Sequence, residues 1–379
     1  MNVQLFAMPA AAYSNPTAYG DLTGGNLVVW WLGHLLFNYK FMSLFSLLFG
    51  AGIVLFAERA HLAGNRPARL HYRRMTWLLV FGLAHAYLLW CGDILVSYAL
   101  CGMLVYPLRG QRPWLLLTLG LTLFALASVI ALVHHLSLHN WPLESYFETL
   151  DTWAPDADDI AKELAAYRGG YWDQMRQRAP QAMVTELRLF FNRSLFRVSG
   201  LMLMGMALFK LGILQGARSP RFYGRMLLGL LPVGLAIVAY GARENFRHGW
   251  VLEYAMFGGY QYNYWGSLLV ALGLLGGVMW IATSGYLALP RRWLEAVGQT
   301  AFSNYILQSV IGTGIFYGTG LGLFGSVSRV GQLAIVVGVW LVQLVLTSWW
   351  LTRFVQGPLE WSWRALTYGH RTPFRRAVQ

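Results

Sequence analysis

A chain of 379 residues that is 56% hydrophobic and only 12% charged lies far from a soluble domain, which carries roughly twice that share of charge. Its net charge of +13 is no sign of nucleic-acid binding. Several apolar runs reach the ~17–25 residues that cross a bilayer, and in such a protein charge reports sidedness.

The runs are continuous and lack period-two alternation, which argues against an outer-membrane barrel and for an all-α, polytopic transmembrane bundle. The first twenty residues hold no Lys or Arg, so there is no signal-peptide n-region. Ser14-Asn15-Pro16 reads as a turn, and Asn26 to Tyr39, with Trp30, Trp31 and His34, as an interfacial amphipathic helix. About nine spans are predicted: 40–58, 75–90, 94–108, 114–135, 197–214, 226–242, 264–283, 299–317 and 331–352. They divide the chain into an N-terminal membrane part (1–136), a soluble module (137–196), and a C-terminal membrane part with its tail (197–379). In the module, Asp158 to Arg168 predicts a polar helix broken by Gly169-Gly170. A second piece should end at Pro180, and Gln181 to Leu195 is amphipathic. Some 60 residues cannot bury a large core alone, so a small helical cap on the outer membrane face is expected. Gly258 to Gly266 (GGYQYNYWG) should lie at the outer interface as a re-entrant segment.

Sidedness follows from the loops. Seventeen arginines fall on one side of the nine spans, among them Arg59, Arg66, Arg69, Arg73, Arg74, Arg291 and Arg292. Most of the acids fall on the other, including Glu144, Asp151 and Asp158. The arginine side is predicted to be cytoplasmic, which places the C-terminus inside and residue 1 outside. An outside start without a signal peptide creates the expectation of a further apolar helix encoded before Met1.

His85 lies within the apolar run Met75 to Leu95, where a titratable group is costly and marks a functional candidate as general base or proton carrier. Asp93 follows eight residues later, about 12 Å up an unbroken helix, and suits a cap for the next span. Thr300, Asn304 and Gln308 recur at i, i+4, i+8 and form a polar face for hydrogen bonding between helices or a substrate path. Ser43 and Ser46 are weaker path candidates, and Lys40 at a span end should snorkel. Tyr260, Tyr262, Tyr264 and Trp265 offer stacking surfaces for a sugar or lipid headgroup acceptor. His134, His135 and His139 read as solvated interfacial histidines, so no metal is expected. Cys91 and Cys101 read as free thiols.

The blocks KFMSLFSLLFGAG (40–52), HAYLLWCGDIL (85–95), YALCGMLVYPL (98–108), GQTAFSNYILQS (298–309) and GPLEWSWRALTYG (357–369) resemble the YeiB-like bacterial inner-membrane proteins, domain of unknown function 418. That family is grouped by resemblance with transmembrane acyltransferases, which use a membrane-embedded histidine and acyl-coenzyme A bound from the cytoplasm. The resemblance implies His85 as the catalytic base, with Asp93 as helper. It also implies transfer of an acyl group to a sugar, lipid or small-molecule acceptor at the outer face. Arg66, Arg69, Arg73 and Arg74 would then hold donor phosphates. The alternatives are a proton-coupled transporter or permease of a small solute and a non-catalytic membrane protein.

A reporter fused after Gln379 is expected in the cytoplasm and a tag inserted near Asp158 outside it; labelling of both from the same side overturns the span assignment.

Overall fold

The structure, a computed structural model, describes residues 2–285 and 288–376, and the side chains of all of these but 288–291. Arg291, one of the arginines expected on the cytoplasmic side, therefore lies outside the described side chains. Among the described residues the chain is helical, and its single β-bridge joins Phe354 to Arg375. The N-terminal part comprises α1 (Val3–Ala7), α2 (Ala11–Ser14), α3 (Gly24–Leu36), α4 (Lys40–Leu62), α5 (Pro67–Leu88), α6 (Leu95–Val105) and α7 (Pro113–Ser137). There follow α8 (Leu143–Trp153), α9 (Ala157–Arg168), α10 (Tyr171–Met183), a π-helical stretch Val184–Ser194 and α11 (Leu195–Lys210). The remainder is α12 (Pro220–Arg247), α13 (Leu252–Tyr254), a π turn Ala255–Gly259, α14 (Tyr260–Ser284), α15 (Ala288–Gln299), α16 (Ala301–Phe316), α17 (Arg329–Arg353) and α18 (Pro358–Tyr368).

Five helical segments among the described residues are long and apolar enough to cross a membrane: Gly24–Leu62, Pro113–Asn140, Pro220–Arg247, Leu252–Ser284 and Arg329–Arg353. The other four predicted spans are also helical. However, α6 has 11 residues and α11 and α16 have 16 each. At ~1.5 Å per residue they reach only ~16–24 Å of a ~30 Å hydrocarbon core. The 22-residue α5 opens on Arg69, Arg73 and Arg74.

Helix α11 sits at the centre, with Val198, Leu201, Met202, Leu203 and Met206 fully buried between α4 and α7. Glycine makes this possible. A Cβ at Gly50 would stand 1.9 Å from the Met202 carbonyl, and one at Gly205 1.9 Å from that of Leu47. On the other flank a Cβ at Gly120 would meet the Gly200 carbonyl at 2.7 Å. Lipid supplies no hydrophobic drive between helices, so close backbone approach through small residues is how such helices associate.

Three expectations are corrected. Pro180 does not end a helix. It lies inside α10, which runs on into α11 through the i+5 register of Val184–Ser194, as backbone bonding shifts around the missing N–H. Gly258 to Gly266 is not re-entrant: from Tyr260 it forms the first turns of α14, because Tyr264 bonds the Phe124 carbonyl (2.7 Å) and Trp265 bonds Ser128 (3.0 Å) on α7. Lys40 does not snorkel: it is fully buried, its Nζ donating to the His34 carbonyl (2.5 Å) and Asn263 Oδ1 (2.6 Å).

Gly50→Ala should reduce the folded yield and thermal stability, with a cost of about 1–3 kcal/mol or more from overpacking against backbone. Gly52→Ala, with nothing within 4 Å of its Cβ, should behave as the parent. Equal behaviour of the two in a detergent thermal-unfolding assay removes the close-packing account.

Candidate functional site

The site forms where α5 stops. Leu89 N and Trp90 N both donate to the His85 carbonyl (3.0 and 2.8 Å), closing the helix one turn beyond His85. Residues 89–94 then turn back, and α6 begins close enough that a Cβ on Gly82 would meet Val96 N at 2.7 Å. The 12 Å expected between His85 and Asp93 on an unbroken helix therefore collapses, and His85 Nδ1 lies 2.7 Å from Asp93 Oδ1. The capping role of Asp93 is present as well, since Oδ2 accepts from Val96 N (2.9 Å). Tyr305 of α16 adds a third donor, its hydroxyl 3.1 Å from Asp93 Oδ1.

With the carboxylate ionised, Nδ1 carries the imidazole proton and Nε2 is left as the acceptor. The hydroxyl of Ser309, one turn beyond Tyr305 on α16, donates to it at 2.9 Å. Asp93, His85 and Ser309 are all buried, at 6%, 4% and 2% exposure. This is a carboxylate–imidazole–hydroxyl relay, recognised by geometry and roles rather than by order in the sequence.

Three neighbours hold it. Trp90 packs its edge toward His85 and stacks on Phe6 of α1 at 4.0 Å. Arg178 of α10, fully buried, donates to the carbonyls of Tyr87 (3.1 Å) and Leu89 (3.2 Å), so a cation caps the negative end of α5. Glu360 of α18 accepts from Phe302 N (2.7 Å) and Ser303 N (3.0 Å), so an anion caps the positive end of α16.

Glu186, from the π-helical stretch and outside the five apolar segments, completes the surroundings. It is buried, and neither carboxyl oxygen has a hydrogen-bond partner. Burial, with the charge of Asp93 as second cause, pushes its carboxyl up to about 8.

The other predicted residues are placed elsewhere. The face of Thr300, Asn304 and Gln308 turns to α17: Asn304 Nδ2 reaches Thr347 (3.2 Å), and Gln308 Nε2 reaches Gln343 Oε1 (2.8 Å). Ser46 bonds the Tyr98 hydroxyl (3.0 Å), and Ser43 accepts from Arg197 (3.0 Å). Tyr262 packs on Tyr240, and Trp265 lies against α7. Arg66, Arg69 and Arg73 are exposed at the far end of α5. Arg74 is half-buried over the rings of Phe56 and Trp363 (4.9 and 4.4 Å). Sequence reading passed over Tyr305, Ser309 and Glu186. The available signal was the i, i+4 spacing of Tyr305 and Ser309, roughly 100° around the helix from the stripe that was chosen.

Fold and site together define a multi-pass helical membrane protein with a buried Asp–His–Ser array. A family profile described as "Protein of unknown function (DUF418)" matches residues 208–370. The chain is 32% identical over 372 residues to the "Uncharacterized protein YeiB" of Escherichia coli (strain K12), covering 97% of this chain and 91% of that protein. It is 31% identical over 340 residues to the "Uncharacterized protein YxaH" of Bacillus subtilis (strain 168), covering 87% and 79%. No solved structure matches. The chain belongs to the YeiB-like DUF418 family.

Glu186 also sets a pH dependence. Its folded value lies above the ordinary carboxyl value of 4.5, so the folded state binds the extra proton. That contribution is complete below about pH 4.5 and is lost as pH rises toward about 8. Glu186→Gln should therefore flatten the decline of melting temperature over this range and stabilise the protein at pH 8, by on the order of 1 kcal/mol after allowance for solvent screening. Parallel melting curves for parent and variant from pH 5 to pH 8 overturn the assignment.

Proposed function

We propose that this protein is a transmembrane acyltransferase of the bacterial inner membrane, in which His85, oriented by Asp93, is the general base. The observation that supports the reading is the 2.7 Å and 2.9 Å pair of contacts that aligns Asp93, His85 and Ser309 inside an apolar bundle. Asp93 fixes the tautomer and stabilises the imidazolium that forms, and His85 Nε2 takes a proton from whatever hydroxyl stands where Ser309 now stands. In the transfer step the acceptor oxygen or nitrogen forms the new bond to the acyl carbon, the carbon–sulfur bond of a thioester donor breaks, and the imidazolium returns its proton to the leaving thiolate.

The topology that suits this reading has nine spans, with residues 137–196 as an outer cap and the C-terminus in the cytoplasm. An acyl-coenzyme A donor would then approach from the inner face. Arg66, Arg69 and Arg73 are free there for its phosphates, whereas Arg74 is engaged on Trp363. From Arg73 to His85 is about 18 Å of helix axis at ~1.5 Å per residue, a distance suited to an extended pantetheine arm. The acceptor would be a sugar, lipid or small molecule at the outer face.

The Ser309 contact favours a second form of the same chemistry, in which Ser309 is acylated first and the acceptor then takes the acyl group.

His85→Gln and Asp93→Asn should each lower acetyl-coenzyme A turnover, normalised to folded protein, by ~10²–10⁴-fold, and Asp93→Asn should also lower thermal stability because an amide cannot accept on both of its terminal atoms. Full activity in His85→Gln removes the base role. Ser309→Ala separates the two forms: retained turnover leaves Ser309 as a place-holder for the acceptor, and loss of both turnover and a trapped acyl-protein identifies it as the nucleophile.

A further inference from the structure

A second polar centre lies apart from His85. A cavity of about 120 Å³ opens between the N-terminal segment, α12 and the start of α14, lined among others by Tyr39, Arg193, Asn245, Trp250, Tyr260 and Asn263. One cation, Arg193, lines it, and two further basic side chains, Lys40 and Arg197, lie behind the lining. Lys40 is 0% exposed, and both of its hydrogen-bond acceptors, the His34 carbonyl and Asn263 Oδ1, belong to residues of the lining. Arg197, 2% exposed, lies over the rings of Tyr39 (4.5 Å) and Tyr264 (4.8 Å). It donates through Nη2 to Ser43 (3.0 Å) and Ser267 (3.1 Å) and through Nη1 to the Tyr260 hydroxyl (3.4 Å), and its Nε has no partner. Arg193 lies over the Tyr260 ring at 5.1 Å.

None of these three cations makes an ion pair among the described residues. Arg193 is only half-buried, but Lys40 and Arg197 are buried, and buried charges are normally paired because several kcal/mol of lost hydration per ion must otherwise be offset. The lining has unmet polar groups too: Asn245 Oδ1 and Trp250 Nε1, each on a residue 5% exposed, lack partners. One cation in the lining, two basic groups behind it, an indole N–H and an amide oxygen thus border this space, and among the described residues no carboxylate pairs with them.

We propose that this cavity binds a phosphate-bearing small molecule or headgroup. A volume of about 120 Å³ is roughly four water volumes at ~30 Å³ each, suited to one phosphate group and its first ester carbon. Arg193 meets the phosphate oxygens from the wall, Trp250 Nε1 donates to one, and the Asn245 amide turns its NH₂ inward to another. Lys40 and Arg197 supply field from behind the lining. The Trp and Tyr rings close the sides and keep water from screening the charges. The site is independent of the His85 chemistry, so its test reads binding rather than turnover.

The protein in neutral detergent is titrated with glycerol 3-phosphate against glycerol and followed by thermal unfolding. In parallel it is placed in nanodiscs of phosphatidylcholine with or without phosphatidylglycerol. A saturable stabilisation by glycerol 3-phosphate assigns a free phosphate ester. Stabilisation only by phosphatidylglycerol assigns a lipid headgroup. Either response should weaken at least tenfold in Arg193→Gln. Lys40→Met and Arg197→Met each strand buried hydrogen-bond acceptors and so confound binding with folding, and Asn245→Asp is therefore the second variant. Its carboxylate lands among unpaired cations, and it should hold or raise the melting temperature while abolishing the phosphate response. A lowered melting temperature in Asn245→Asp, no saturable response to either probe, or an unchanged response in both variants overturns the proposal.

Discussion

The buried carboxylate of Asp93 is the constraint on which the rest of the site depends. An ionised carboxylate at 6% exposure requires donors on both oxygens, and it obtains them from three separate pieces of chain: His85 on α5, Tyr305 on α16 and the backbone of Val96 on α6. Meeting that requirement draws three helices to one point. It also selects the tautomer of His85 and so turns Nε2 toward Ser309. Burial first, and the negative charge of Asp93 second, push the carboxyl of Glu186 up, which favours its protonated form.

The helices that meet there are held at their ends by opposite charges. Arg178 satisfies carbonyls that α5 leaves free where it stops, and Glu360 satisfies amides at the start of α16. Each cap comes from a different peripheral helix, so α10 and α18 clamp the two elements that bear His85 and Ser309. Trp363 of α18 adds a bond to the Arg74 carbonyl (2.8 Å), which ties the far end of α5 to the same clamp. Helix dipoles and unpaired terminal groups thereby become positioning devices, since a cap fixes where a helix begins or ends as well as stabilising it.

The cations divide into two populations that a net charge of +13 does not separate. Arg66, Arg69 and Arg73 are exposed at the far end of α5. Lys40 and Arg197 are buried among aromatic rings and neutral acceptors, with no carboxylate beside them. The first group is the one on which the sequence expectation of sidedness rests. The second lies behind the lining of the cavity beside Tyr39 and Tyr260, where Lys40 bonds two lining residues.

Composition and periodicity alone determined the all-helical membrane class, the positions of the main apolar helices, the turn at Asn15 and the polar helix ending at Arg168, and they singled out His85 as a candidate. These are local or additive properties, summed over a window or read from the cost of one charge in an apolar run. The partners of His85 were decided by tertiary structure. Asp93 was named but placed about 12 Å away, because nothing local says that α5 ends at Leu88. Ser309 was passed over for Asn304 and Gln308, because several faces of one helix can carry polar residues and only packing shows which meets α5 and which meets α17. Lys40 looked like a snorkelling cation until Asn263, 223 positions later, supplied its acceptor. Which groups share a buried space depends on how long helices cross, and that is set by side-chain contacts between residues hundreds of positions apart.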